Sequence, residues 1–284
     1  MNRPTSYPIT VLVMIASMSL IPMGDTAAKL MSNVHGVSPL FITWSRFAFG
    51  AVILFPLMIK RNIDWEMFLD WRILLRSLLI IGGISSILIA LKTETLATSF
   101  GAFFVGPILS YFLSSWLLRE PITFTRTMLM FLGFLGVLLV VKPGYGFTSG
   151  IGFAVLAGVL YGGFLTANRW LNPKFEPLPM LFSQVFIGAI ILAPFGLSAP
   201  PEITWSVSGL VLASAITSNL ANFLLIYAYT RVEASHLAPF VYFQLISATI
   251  MGYIIFSDIP DMVTLSGLLL LIASGVASFI MRRV

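Results

Sequence analysis

Runs of about twenty apolar residues follow one another along this chain, and the polar links between them are short. A helix needs about 20 mostly apolar residues to cross a bilayer, so each run is long enough to span one. Only 10% of the residues are charged and 58% are apolar, whereas soluble domains carry about 25% charged residues. A soluble fold has no surface that could hide so much apolar area. The sequence therefore predicts an all-α integral membrane protein.

Ten transmembrane helices can be assigned from these runs. They cover residues 8–31, 39–59, 73–91, 97–118, 125–142, 149–171, 178–197, 207–229, 234–256 and 262–281. The first run is too long and too weakly preceded by basic residues for a signal peptide. The long polar link 60–72 carries two tryptophans, which fits an interfacial segment or a plain loop. Most of the 16 Lys and Arg residues fall on the side of the N-terminus and the even-numbered links, so both termini are expected in the cytoplasm.

The chain repeats itself at a shift of 138 residues, from Pro39 to Pro177. PLFITWSRFAFGAVILFP (39–56) and PLPMLFSQVFIGAIILAP (177–194) agree at eight of eighteen positions, including two prolines, a serine and a glycine. Apolar composition alone does not place those four residues at matching positions. The repeat divides the chain at residue 143.

The two copies, 1–143 and 144–284, contain five predicted spans each. Because five is odd, the second copy must cross the membrane upside down relative to the first. Two inverted five-helix repeats are a mark of secondary transporters, whose substrate site lies near the midplane between the repeats. The alternative is a duplication within a structural membrane protein that transports nothing.

Ten spans in this arrangement resemble the drug/metabolite transporter superfamily, in particular its EamA-like family. FITWSRFAFG is similar to the family's second span, with its arginine at Arg46, and ATSFGAFFVGPILSYFLSSWLLREPIT (97–123) to the fourth, with a mid-span proline at Pro107. In the ninth span that proline is absent, and Gln244 or Leu245 takes its place. The resemblance implies a carrier that moves an amino acid, a nucleoside or a cofactor-like solute across the bacterial cytoplasmic (inner) membrane by alternating access.

Three charged residues lie within the first two spans. Asp25 and Arg46 are expected at a similar depth, roughly 10 Å below the outer boundary at 1.5 Å per helical residue. Lys29 follows Asp25 by one turn on the same face. Charged residues at such depth usually face a cavity or a partner. We therefore expect one cluster of Asp25, Lys29 and Arg46, which either locks the two spans together or takes part in substrate binding or gating.

Polar and aromatic residues near mid-span complete the candidate site. The polar ones are Ser85 in span three, Asn219 and Asn222 in span eight, and Gln244 in span nine. Amide side chains in membranes either join helices or line a cavity, and their shared depth favours the cavity here. Phe104 and Tyr111 belong to an aromatic stripe on span four, and Phe240 to one on span nine. Such stripes are often packing surface, but the resemblance implies that these two spans line the cavity.

Other classes of function are poorly supported by the sequence. The two histidines, His35 and His236, lie in different halves, and neither G-x-S-x-G nor a P-loop occurs, so no enzyme, metal site or cofactor is predicted. The basic residues are scattered, which argues against nucleic acid as a partner. A channel is the remaining alternative, although an internal inverted repeat favours a carrier. The predicted partners are a small-molecule substrate and the lipid bilayer; coupling to a proton or a counter-substrate, and the oligomeric state, are left open.

Overall fold

The structure is a computed structural model, which describes residues 7–60, 65–121, 123–141, 148–171, 175–259 and 261–280. All regular elements within these ranges are helices, and no strand occurs among them. The α-helices in chain order are α1 (Tyr7–His35), α2 (Pro39–Ile59), α3 (Trp71–Thr93), α4 (Leu96–Phe103), α5 (Val105–Leu118), α6 (Phe124–Val141), α7 (Ser149–Leu171), α8 (Pro177–Gly196), α9 (Trp205–Tyr229), α10 (Ala234–Val241), α11 (Phe243–Phe256) and α12 (Met262–Ile280). The predicted repeat boundary at residue 143 lies outside the described residues.

Eight segments in the described ranges are long and apolar enough to cross a membrane. They are α1, α2, α3, α4 with α5, α7, α8, α9, and α10 with α11 from residue 236 onward. Two shorter apolar helices, Phe124–Leu139 and Met262–Ala277, coincide with the predicted fifth and tenth spans. The prediction of an all-α membrane protein is confirmed for the described residues, and the exact number of ten spans stays a prediction.

Local sequence signals explain where several of these helices begin. Thr95 and Thr204 are N-cap residues, and their hydroxyl oxygens accept hydrogen bonds from the backbone N–H three residues later, at 3.1 and 3.2 Å. Pro39 and Pro177 occupy the first position of α2 and α8, where a missing N–H costs nothing. In the long polar link, Trp65–Leu69 form a 3₁₀ helix that precedes α3.

The helices of spans four and nine are each interrupted near mid-length. Between α4 and α5 the interruption falls at Phe104, and between α10 and α11 it falls at Tyr242. Pro107 explains the first, because it has no N–H and its ring clashes with the carbonyl four residues earlier. The second interruption forms without a proline at the matching position. There the Leu245 N–H donates to the Tyr242 carbonyl three residues earlier, at 3.0 Å, as in a 3₁₀ turn. The rings of Phe104 and Tyr242 lie 5.3 Å apart, so the two interruptions touch.

Small residues bring α5 and α7 into backbone contact. A Cβ at Gly162 would lie 2.5 Å from the carbonyl oxygen of Gly106, and a Cβ at Gly106 would meet the carbonyl oxygen of Gly158. Glycine is required at these positions because no side chain fits between the two backbones. Elsewhere α1 packs along α9 and α3 along α7, so the long contacts join the first half of the chain to the second.

The ends of α5 and α11 share an uncommon backbone conformation. Arg119 has φ 55° and Ser257 has φ 59°, both in the left-handed region that non-glycine residues rarely occupy. The two residues stand 138 positions apart, the same shift that relates Pro39 to Pro177. An acidic residue follows each of them, Glu120 in the first half and Asp258 in the second.

Candidate functional site

A small cavity lies between α1, α2, α3, α4, α7, α9 and α11. Its volume is about 40 Å³, enough for a few water molecules at roughly 10–15 Å³ each but far below the roughly 300–1,000 Å³ of a metabolite site. Isoleucines and the rings of Phe100 and Phe103 form its apolar walls. The polar residues around it are Asp25, Arg46, Tyr161, Ser218, Asn222 and Gln244. The bundle therefore contains a small mixed polar and aromatic space, which is too small for a metabolite in this conformation.

Asp25 and Arg46 form an ion pair at one side of this cavity. Arg46 Nη1 lies 2.6 Å from Asp25 Oδ1, and the two side chains are 4% and 3% exposed. Arg46 also donates from Nη2 to the Gly24 carbonyl at 2.8 Å and from Nε to Ser214 Oγ at 2.7 Å. The predicted pairing of the two charges is confirmed. Buried charges in a bundle interior are tolerated when they are paired and hydrogen-bonded in this way.

Lys29 does not join this pair, so the predicted three-residue cluster is wrong in that respect. Its ammonium group donates to the carbonyl oxygens of Leu91, at 3.2 Å, and Glu94, at the C-terminal end of α3. It also lies 5.6 Å from the centre of the Phe256 ring. The long lysine stem reaches past the turn that separates it from Asp25, and the last carbonyls of a helix attract a cation. Lys29 therefore caps α3 instead of extending the ion pair.

Two polar atoms at the cavity are buried and have no hydrogen-bond partner among the residues that the structure describes. They are the hydroxyl oxygen of Tyr161 and Oε1 of Gln244, whose residues are 5% and 1% exposed. Asn222 also lines the cavity and donates from Nδ2 to the Ser218 carbonyl at 2.9 Å. A buried polar atom left unpaired costs about 1–3 kcal/mol, so most such atoms in proteins find a partner. A solute in the cavity would supply partners for both atoms.

Asn219 does not line the cavity but binds the backbone of Arg46, which does. Its Nδ2 donates to the carbonyl oxygen of Arg46 at 3.0 Å and to that of Ala215 at 2.8 Å. The absence of a side chain at Gly50 makes this possible, because a Cβ there would lie 2.5 Å from Asn219 Oδ1. Asn219 thus fastens α9 to the helix that carries Arg46.

The remaining predicted site residues lie outside the cavity lining. Phe104 is fully buried at the interruption of span four, and Tyr111 is bonded through its hydroxyl to Thr127 Oγ1 at 2.9 Å. Phe240 is 2% exposed and packs within the apolar core. Ser85 has a buried hydroxyl but does not face the cavity. Their part in binding or gating stays a prediction, and Phe100 and Phe103 provide the aromatic wall from span four.

Tyr161 is the cavity residue that the sequence interpretation missed. It stands in the glycine-rich stretch AGVLYGG, which indicates close helix packing and nothing about a cavity. The shift of 138 residues does not point to it either, because it relates Asp25 to Gly163, two residues further along the helix. Only the packing of distant segments places Tyr161 at the cavity.

Comparison with known proteins gives consistent matches over almost the whole chain. The model of the EamA-like transporter family matches twice, over residues 8–142 and 148–280. The S-adenosylmethionine uptake transporter of Rickettsia bellii is 25% identical over 256 residues, which cover 88% of this chain and 87% of that protein. The riboflavin transporter of Brucella anthropi is 24% identical over 281 residues, which cover 95% of this chain and 97% of that protein.

A crystal structure of another protein superimposes with a TM-score of 0.79, covering 98% of this chain and 99% of that one. At 18% sequence identity this match shows the fold alone. The family and the relatives are transporters, which confirms both the prediction of a transporter instead of an enzyme and the resemblance deduced from the spans. This multi-pass membrane chain belongs to the EamA-like transporter family.

Proposed function

We propose that this protein is a secondary transporter that carries a small organic metabolite across the bacterial cytoplasmic membrane by alternating access. The observation that carries the proposal is the cavity between the helices, which is lined by a buried ion pair and by two polar atoms without a partner among the described residues. Its walls come from helices of both halves of the chain. A cavity of that construction at a repeat interface is where secondary carriers bind their solutes.

The proposed architecture is ten spans in two inverted five-helix repeats, with a boundary near residue 143. The family model matches once in each proposed repeat, at 8–142 and 148–280. The interruptions at Phe104 and Tyr242 fall at repeat-related positions, as do the left-handed residues at the ends of α5 and α11. These recurrences support the repeat because neither feature is expected twice at one spacing by chance.

The cavity chemistry favours a nitrogen-bearing solute with a flat ring. Phe100, Phe103 and Tyr161 offer aromatic surface, and aromatic pairs add about 0.5–1.5 kcal/mol beyond the area that they bury. Gln244 Oε1 accepts a hydrogen bond from an N–H or O–H of the solute, and the Tyr161 hydroxyl can donate or accept. The relatives named for S-adenosylmethionine and riboflavin make these two compounds the first candidates to test.

Uptake of radiolabelled S-adenosylmethionine and riboflavin into proteoliposomes tests the proposal, after a thermal-shift screen of a metabolite library for binding. A carrier gives uptake that saturates with solute concentration. Unlabelled solute added outside the vesicles should then accelerate the efflux of label that has already been taken up. The Gln244→Leu variant should lose most of this uptake at unchanged expression, whereas Asn33→Leu, which removes an exposed amide from the end of α1, should keep it. Uptake that rises linearly with concentration would favour a channel and contradict alternating access.

We further propose that both termini face the cytoplasm. The support is the excess of Lys and Arg on one side of the predicted topology. A reporter fused after residue 283 should be active on the cytoplasmic side, and a reporter in the 199–204 link on the external side. Two reporters on the same side would contradict both the orientation and the even number of spans.

A further inference from the structure

Arg76 is a second fully buried arginine, at the end of the bundle opposite Arg46. Arg76 lies in the first turns of α3, whereas Arg46 lies in the first turns of α2. Because α3 begins at the end of the bundle where α2 finishes, the two arginines lie at opposite ends. Its side chain is 0% exposed. It donates from Nε to Asn168 Oδ1 at 2.5 Å, from Nη1 to the Met180 carbonyl at 2.9 Å and from Nη2 to Gln184 Oε1 at 3.0 Å. Its guanidinium carbon also lies 4.9 Å from the centre of the Phe164 ring.

All these partners are neutral, and Arg76 has no carboxylate partner in the described part of the chain. Burying a charge without a countercharge is expensive, so the closed arrangement depends on every one of these contacts. All the contacts also come from α7 and α8, which belong to the second half of the chain, whereas Arg76 belongs to the first. A movement that separates the halves at this end strips Arg76 of all its partners together.

The Arg76 contact is the repeat counterpart of the Arg46 contact. A shift of 138 residues turns position 46 into 184 and position 76 into 214. Arg46 Nε bonds Ser214 Oγ at 2.7 Å, and Arg76 Nη2 bonds Gln184 Oε1 at 3.0 Å. The same pair of positions therefore joins the halves at both ends of the bundle, with the arginine in α2 at one end and in α3 at the other.

We propose that Arg76 is the latch that closes the cavity on the side opposite Arg46, toward the cytoplasm in the proposed orientation. This rests on the proposed alternating access. We call the contacts of Arg46 with Ser214 and the Gly24 carbonyl the Arg46 layer, and the contacts of Arg76 with α7 and α8 the Arg76 layer. Both layers are engaged in the present conformation, and the cavity is too small for a metabolite. Opening toward the cytoplasm breaks the contacts of Arg76 with α7 and α8 and lets water reach its guanidinium.

Opening would leave the arginine of the Arg46 layer paired with a carboxylate, but would leave the arginine of the Arg76 layer without any protein partner. Arg46 keeps Asp25 when the halves part, because both residues belong to the first half and are 2.6 Å apart. Arg76 leaves neutral partners for water, which solvates the bare cation. The Arg76 layer therefore opens only together with hydration of this end of the pathway. The position of Arg76 in a layer that crosses the halves also distinguishes it from an arginine that merely anchors one helix.

Cysteine labelling tests the latch without knowledge of the solute. The chain has no native cysteine, so one introduced thiol reports on one site. Ser183 and Ser45 are repeat-related, buried to 0% and 1% exposure, and lie next to Gln184 and Arg46. Ser183→Cys reports on the Arg76 layer, and Ser45→Cys is the matched reporter for the other layer. Each is labelled with a membrane-permeant maleimide in liposomes.

Arg76→Gln should speed labelling of the thiol at position 183 by about tenfold or more, because it removes all three hydrogen bonds that join Arg76 to α7 and α8. Labelling at position 45 should not rise. Lys60→Gln, which changes an exposed cation at the end of α2 on the same side of the bundle, should alter neither rate. Equal labelling at position 183 with and without Arg76 in folded protein would overturn the latch.

Where Arg76→Gln fails to fold, Gln184→Leu removes one of the three hydrogen bonds and should speed labelling at position 183 by a smaller factor; no acceleration there would likewise overturn the proposal. A bifunctional thiol reagent that joins cysteines placed at 76 and 184 should stop transport, and cleavage of the linker should restore it. Transport that persists through the cross-link would also refute the latch. Labelling needs no substrate, so the labelling rates test the latch even if the proposed solute or the proposed transport is wrong.

Discussion

Removing one partner of the Asp25–Arg46 pair should destabilise the protein more than removing both. Arg46→Gln leaves Asp25 as a buried carboxylate without its donor, and breaking a buried pair in this way costs about 3–5 kcal/mol. Asp25→Asn should fall at the lower end of that range, because Arg46 keeps its hydrogen bonds to Gly24 and Ser214. The double variant leaves no unpaired charge and should return close to the wild-type stability.

The melting temperature of the purified protein in detergent measures this cycle. One kcal/mol shifts the melting temperature by about 2–4 °C in a domain of 150–250 residues, so Arg46→Gln should lower it by about 6 °C or more. Asp25→Asn should lower it less, and the double variant should recover most of the loss. Asn33→Leu, at an exposed position of α1, is the matched control and should leave the melting temperature unchanged.

Transport by the stable double variant then separates the two roles of the pair. A purely structural pair predicts that the double variant still moves solute, whereas a pair that contacts the solute or gates the cavity predicts a folded but inactive protein. Single variants as stable as the wild type would refute the reasoning, because they would mean that neither charge depends on the other inside the bundle.

Two further pairs of variants probe the cavity and the packing around it. Tyr161→Phe removes a hydroxyl without a partner among the described residues, so transport should fall while the melting temperature holds. Tyr111→Phe removes a hydroxyl that is bonded to Thr127, so the free energy of unfolding should fall by about 1 kcal/mol. The opposite pattern in either assay would count against the assignment of the cavity. Gly106→Ala presses a methyl group against the backbone of α7 and should cost about 1–3 kcal/mol, whereas Gly209→Ala, in open space on α9, should be neutral or slightly stabilising in the same thermal measurement.

Helices and membrane class followed from the sequence because the bilayer imposes a simple length and composition rule. The pairing of Asp25 with Arg46 also followed, since equal depth on neighbouring helices leaves two opposite charges few other partners. Lys29 was misassigned because spacing along a helix gives the face of a residue but not the direction of a long, flexible side chain. Its stem carries the ammonium to the end of α3.

The cavity lining was predicted only in part because it depends on contacts between distant segments. Asn222 and Gln244 were found from their depth, yet Asn219, one turn away, turns to the backbone of Arg46. Phe104 and Phe103 are adjacent in sequence, and only the interruption of span four decides which of them faces the cavity. Side-chain direction at an interrupted helix cannot be read from a regular periodicity of 3.6 residues.

The contact between Phe104 and Tyr242 makes the two helix interruptions mechanically dependent. A helix bends most easily where its ladder of hydrogen bonds is broken, so each of these residues is a hinge. Their rings are packed together 5.3 Å apart, with Phe104 and Tyr242 both at 0% exposure, so one hinge cannot flex without displacing the other. The two breaks therefore share one packing contact, which joins span four in the first half of the chain to span nine in the second.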